Sequence, residues 1–174
     1  IRTIKNRVQS AYQMLPFRRI PRIMVKNSVF WLNSFPHKDG VSNDQSPRYL
    51  MTGRELNYRL HVRIEFGSYV QTHEQHDNSM KQRTLGAICL GPNGNQQGGH
   101  FFVNLLTGER LTRHAWTELP MPSHVTDRVN EFGRRQGMPL TLTFGDRHAN
   151  EIPDDLDELA AEAELFIEME SPKL

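Results

Sequence analysis

"HFFVNLLTGERLTRHAW", residues 100–116, decides how this chain is built. Two strand-like runs, HFFVNLL and RLTRHAW, flank Thr107-Gly108-Glu109, and a short glycine-containing break between such runs is a hairpin signal. Upstream, TLGAICLG (84–91) reads as a short apolar strand. HVRIEFGSYVQTH (61–73) alternates Val62, Ile64 and Phe66 against Arg63 and Glu65, the period of a half-buried strand. Polar EQHDNSMKQR (74–83) and flexible, glycine-rich PNGNQQGG (92–99) connect these runs. Residues 62–118 are therefore expected to form a four- or five-stranded antiparallel unit. So few strands favour a small curled barrel, because closure protects exposed edges.

Helices are expected on both sides. IRTIKNRVQSAYQML (1–15) places Ile1, Ile4, Val8, Ala11 and Leu15 at helical spacing, with Arg2, Lys5 and Gln9 on a neighbouring face, and Pro16 ends it. No turn or capping residue precedes Ile1, so a helix entered part-way, and hence a fragment, is expected. A second helix starts near Pro21, where the missing N–H costs nothing, and stops at Pro36. Its apolar residues (Ile23, Met24, Val25, Val29, Phe30, Trp31, Leu32) surround most of the circumference and predict burial. HKDGVSNDQSP (37–47) is a loop, and YLMTGRELNYRL (49–60) a short helix with a turn. SHVTDRVNEFGRRQG (123–137) is a helix with Val125, Val129 and Phe132 on one face and Gly137 as its stop. Residues 154–170 form an acidic amphipathic stripe through Leu156, Leu159, Ala160, Ala163 and Ile167. With no basic partners at i+4, it is expected to be marginal alone.

The net charge of +1 hides a split. Residues 1–118 carry 16 Lys and Arg against 8 Asp and Glu, a net of +8; residues 119–174 carry 5 against 12, a net of −7. A basic body with an acidic tail fits a polyanion partner and a solvated or self-masking tail, and equally an uneven surface. A hydrophobic fraction of 37% with mean hydropathy −0.62 leaves room for a compact core over part of the length. Cys89 is the only cysteine, which excludes a disulfide framework and fits a reducing compartment. No apolar run reaches the length of a membrane span and no signal peptide is visible, so a nuclear or cytoplasmic protein is expected, not a secreted one.

Catalytic patterns are weak. His73, Glu74 and His76 have i, i+3 histidine spacing in a loop, unlike the i, i+4 helical pair of zinc hydrolases. Cys89 sits in an apolar strand without an adjacent base, as a structural thiol does. PNGNQQGG lacks the Lys-Ser/Thr of a phosphate loop. Asp154, Asp155, Asp157 and Glu158 follow no calcium-loop pattern. The basic residues remain: Arg2 and Lys5 on one helix face, Arg18, Arg19, Arg22 and Lys26 over two turns, and Arg110 and Arg113 on a strand ending at Trp116. Lys and Arg contacts to phosphate supply most non-specific nucleic-acid affinity. Strand alternation puts Arg110 and Arg113 on opposite faces, so one DNA-facing patch takes only one of them. Trp116 is expected in the core.

Three segments in order, NSVFWLNSFP, SPRYLMTGREL and LHVRIEFGSYV, resemble the region after the catalytic core in integrases of copia-type LTR retrotransposons. Pro47, Thr52, Gly53, Arg54, Phe66, Gly67, Tyr69 and Val70 match that pattern, followed by the Thr107-Gly108 turn and a strand with Arg113, Trp116 and Glu118. Ser68 stands where the family often has Cys, and His114 where it usually has Asp.

The resemblance implies an α+β chain: C-terminal helices of an RNase-H-like integrase core (1–36), a linker (37–61), a small antiparallel β-barrel-like domain (62–118), a helix (119–137) and an acidic, partly disordered tail (138–174) leading towards a reverse transcriptase. The parent reaction, polynucleotidyl transfer, uses an Asp-Asp-Glu triad with Mg or Mn, because two metals clamp the attacking and leaving oxygens. The resemblance puts that triad upstream of Ile1, with Arg2 and Lys5 one and two turns after its glutamate. This chain then carries no catalytic residue and needs no cofactor of its own. Its partners are DNA and other parts of the same polyprotein, in a virus-like particle or nucleus. Phosphate contacts are expected from Arg2, Lys5, Arg18, Arg19, Arg22, Lys26, Arg110 and Arg113. A non-enzymatic protein-interaction module and a decayed transposon remnant are the alternatives.

Overall fold

The structure is a computed structural model and describes residues 2–17, 21–38, 40–74, 80, 82–138, 140, 142, 148 and 150; at Arg2, Pro21 and Arg22 it describes the backbone alone. The chain divides into two compact units, residues 1–141 and 142–174. All helices and strands described here lie in the first. The acidic stripe at 154–170 lies outside the described residues.

The architecture is α+β. Helices α1 (Arg2–Met14), α2 (Pro21–Leu32), α3 (Pro47–Thr52) and α4 (Tyr58–His61) precede strands β1 (Tyr69–His73), β2 (Thr84–Pro92), β3 (His100–Asn104), β4 (Arg110–Arg113) and β5 (Trp116–Glu118), and helix α5 (Ser123–Arg135) follows. The short α3 has complete local chemistry. Ser46 Oγ accepts the Tyr49 N–H at 3.2 Å, Pro47 opens the first turn, and Gly53 closes it at φ 65°.

The sheet is antiparallel in the order β4-β3-β2-β1-β5. No β4–β5 ladder forms, so the expected barrel is not closed by hydrogen bonds. The sheet is nevertheless curled. Only His114 and Ala115 separate β4 from β5, which lie on opposite edges. Three Cα steps reach at most about 11 Å, whereas the outer strands of a flat five-stranded sheet lie about 19 Å apart. The register agrees: Arg113 is opposite His100 on β3, while the Ala115 carbonyl accepts the His73 N–H of β1 at 3.1 Å.

Inside the curl, Val70, Ala87, Cys89 and Phe102 are fully buried, with Ile64, Leu111 and Trp116 against them. Trp116 packs against this core and is half-buried: its ring lies 5.3 Å from Phe102 and 4.7 Å from His100, and the Arg63 guanidinium sits 4.6 Å from its centroid. On the far side, α5 covers the β3–β4 turn. Arg128 Nε donates to the Leu105 carbonyl at 3.0 Å and Nη2 to that of Leu106 at 3.1 Å, while its guanidinium stacks on Phe132.

Three expectations fail for identifiable reasons. The strand expected from Val62 starts only at Tyr69: the Val62 N–H caps α4 on the Tyr58 carbonyl, leaving Val62 61% exposed, and Gly67 at φ 90° breaks extended backbone. Helix α2 is not buried all round; Met24 and Ser28 are buried, whereas Val25 is exposed and Trp31 stacks on Phe35 at 6.2 Å. PNGNQQGG is a tied turn: Asn95 Oδ1 accepts the Gly99 N–H at 2.9 Å, and Arg48 Nη2 donates to the Gly94 carbonyl at 2.5 Å.

Candidate nucleic-acid interface

The basic residues picked out in the sequence are dispersed by the fold. Arg18 and Arg19, and the side chains of Arg2 and Arg22, lie outside the described residues. Lys5 is 5% exposed, so it does not present its charge on an open surface. It stands three residues before fully buried Val8, and that i, i+3 relation turns both inward.

Arg113 is committed to a carboxylate. Its Nε donates to Glu74 Oε1 at 2.8 Å and its Nη2 to Oε2, while Thr72 Oγ1 donates to Oε1 at 3.1 Å. The Arg113 bonds hold the Glu74 carboxyl below its ordinary pKa against the opposing effect of burial, and Glu74 raises that of Arg113. The fork–fork geometry neutralises Arg113 towards any outside anion. It also removes Glu74 as a metal ligand, while His73 Nε2 lies 3.0 Å from Thr117 Oγ1.

Cys89 is buried, and burial pushes its thiol pKa up to about 12, so it is no nucleophile. Among the described residues there is no group of three His, Cys, Asp or Glu placed to hold a metal ion.

Lys26 and Arg110 come together. Both are exposed, and both line a cavity of about 460 Å3 formed by α2, the outer face of the sheet and the end of α5. In the β3–β4 register Val103 is opposite Arg110 and Phe101 opposite Thr112, so Phe101, Val103 and Arg110 share the outer face, away from buried Phe102. The Arg110 guanidinium lies 4.7 Å from the Phe101 centroid, a cation–π contact that fixes its direction. Phe30 supplies a second aromatic wall, with the Arg48 guanidinium 5.3 Å from its centroid. No acidic residue is among the described lining residues.

Compared with protein-family models, curated proteins and solved structures, the chain gives no match.

Sequence patterns put Lys26 in a cluster with Arg18, Arg19 and Arg22, and Arg110 beside Arg113. They did not pair Lys26 with Arg110, which depends on α2 lying over β2–β4. Phe30, Phe101, Asn27, Asn93 and Gln136 of the cavity were also missed. The available signal was Phe101 beside Phe102: adjacent strand residues face opposite ways, so one of two neighbouring phenylalanines must leave the inner core. Among the described residues no helix is long and apolar enough to cross a membrane.

Proposed function

We propose that this chain is the C-terminal part of a copia-type retrotransposon integrase, and that it binds DNA without itself carrying the acidic catalytic triad. The observation that carries the DNA-binding part is the convergence of Lys26 and Arg110 on one cavity edged by aromatic rings, with no acidic residue among its described lining residues. The integrase part rests on the order of the sequence segments. Several of their matched residues have demanding structural jobs: Gly53 caps α3 at φ 65°, Gly67 holds φ 90°, and Gly108 turns β3 into β4 at φ 78°.

The test is fluorescence anisotropy with duplex DNA over a salt series. A basic surface releases counterions, so log K should fall steeply with log salt. Lys26→Ala and Arg110→Ala should each weaken binding and lower the slope by about one. Binding that is flat in salt, or absent at low salt, overturns the proposal.

A second reading, a protein-interaction module, is favoured by one feature. An open groove of about 800 Å3 runs between α1 and α2, lined in part by Ala11, Met14, Trp31, Phe35 and Val62, with Met14 83% exposed. Exposed apolar surface of this kind commonly marks a contact with another protein surface. Salt-insensitive association with protein and no DNA affinity would select this reading.

A further inference from the structure

We propose that the cavity between α2 and the outer face of β3–β4 receives one unpaired nucleotide, with its base between the apolar walls and its phosphate on Lys26 and Arg110. The chain would then prefer DNA with a single-stranded end over blunt duplex. This deepens the DNA-binding reading and rests on it.

The size fits: about 460 Å3 is within the range of small-ligand sites, which take a drug-sized group. The chemistry is two-sided. Ile23, Leu90, Val103, Phe30 and Phe101 give apolar and aromatic walls. Asn27 and Gln136 bring side-chain amides, each a donor and an acceptor, as the edge of a base requires, and Asn93, whose Oδ1 accepts the Asn95 N–H at 3.0 Å, adds an amide donor. Lys26 and Arg110 supply two positive charges with no carboxylate among the described lining residues. A paired base keeps its faces and its edge inside the duplex, so only an unpaired one can enter. An acidic peptide side chain would meet the cations but leave the amides and aromatic walls without matching groups. A planar base joined to a phosphate satisfies both.

The experiment compares one blunt duplex with the same duplex carrying a three-nucleotide overhang, by anisotropy on the full chain. Stacking of one base is expected to tighten the overhang duplex about 10-fold. Phe101→Leu, which keeps apolar volume and removes the aromatic ring, should bring that ratio to about one, with a thermal melt confirming the fold. Gln136→Ala should lower the ratio as well, through the base edge. Equal, salt-dependent binding of both duplexes overturns the nucleotide pocket and leaves the DNA-binding reading standing. No binding of either overturns both. A ratio that survives both substitutions places the base elsewhere and overturns the proposal, as does an acidic Glu/Phe peptide that binds the cavity more tightly than a trinucleotide.

Discussion

Arg113 at the end of β4 grips both carboxylate oxygens of Glu74, which directly follows β1, so an ion pair joins strands that are not neighbours in the sheet. It spans the place where the ladder stays open. Glu74→Gln should destabilise the chain by about 1 kcal/mol, the scale of a partly exposed ion pair with good geometry. Because the folded-state pKa of Glu74 lies below its ordinary value of 4.5, its contribution is complete above that value and disappears as pH falls through the folded-state one. Urea midpoints of wild type and variant should therefore differ near neutrality and converge in strong acid. A gap that persists in acid would show that the carboxylate is not the source.

Trp116 and Phe102 are expected to answer to stability and not to DNA affinity. Phe102 is fully buried and its ring lies 5.3 Å from that of Trp116. Phe102→Ala should cost about 3–5 kcal/mol, and Trp116→Ala a comparable amount, by the usual cost of removing a packed aromatic. Denaturant unfolding measures both. A Trp116→Ala chain that melts like wild type but loses DNA would make the indole a stacking platform instead.

Gly67 and Gly137 both have positive φ, 90° and 68°, yet they should respond differently to alanine. A Cβ at Gly67 would overlap Leu15 Cδ2 and crowd Phe17 Cζ, and Phe17 is fully buried; a Cβ at Gly137 meets nothing within 4 Å. Gly137→Ala should cost about 1–2 kcal/mol, from left-handed backbone strain alone. Gly67→Ala adds overpacking of a further 1–3 kcal/mol or so. Equal melting temperatures for the two variants would contradict the close packing of the α1–α2 connection on Gly67.

His100 should make stability depend on pH near neutrality. It is fully buried beside Trp116, with Nε2 3.1 Å from the His61 carbonyl and Nδ1 3.1 Å from that of Gly98. Burial holds its pKa below the ordinary 6.5; the two carbonyls pull the other way, and His61 and Arg63 add to the lowering. The unfolded chain therefore takes up this proton first. The contribution is whole above 6.5 and is lost as pH falls towards the folded-state value. Subtracting the pH–stability curve of His100→Gln from that of wild type should isolate this fall. A flat difference curve would contradict it.

The helices and the hairpin were legible because their signals are local. Pro16, Pro21 and Gly137 mark boundaries by backbone chemistry alone, and Thr107-Gly108 sets the β3–β4 turn. What the sequence concealed depended on tertiary placement. The alternation of Val62, Ile64 and Phe66 imitates a strand, but the cap of α4 and the φ of Gly67 claim that backbone first. Lys5 reads as a surface cation until Val8 turns its face inward. Arg113 reads as a DNA contact until Glu74, 39 residues earlier, meets it across the curl. Lys26 and Arg110 share a cavity only because α2 lies over the sheet.

The two-residue step at His114–Ala115 also bears on synthesis. Strands β1 to β4 form a meander in which each new strand finds its neighbour as it emerges. β1, however, receives its second neighbour only when β5 follows, and β1 ends at His73 whereas β5 begins at Trp116. At about 5–20 residues per second, the ribosome leaves that edge of β1 uncovered for roughly 2–9 s. A product terminated at Arg113 would keep it uncovered permanently, with the backbone of Tyr69, Gln71 and His73 open to strands of other chains.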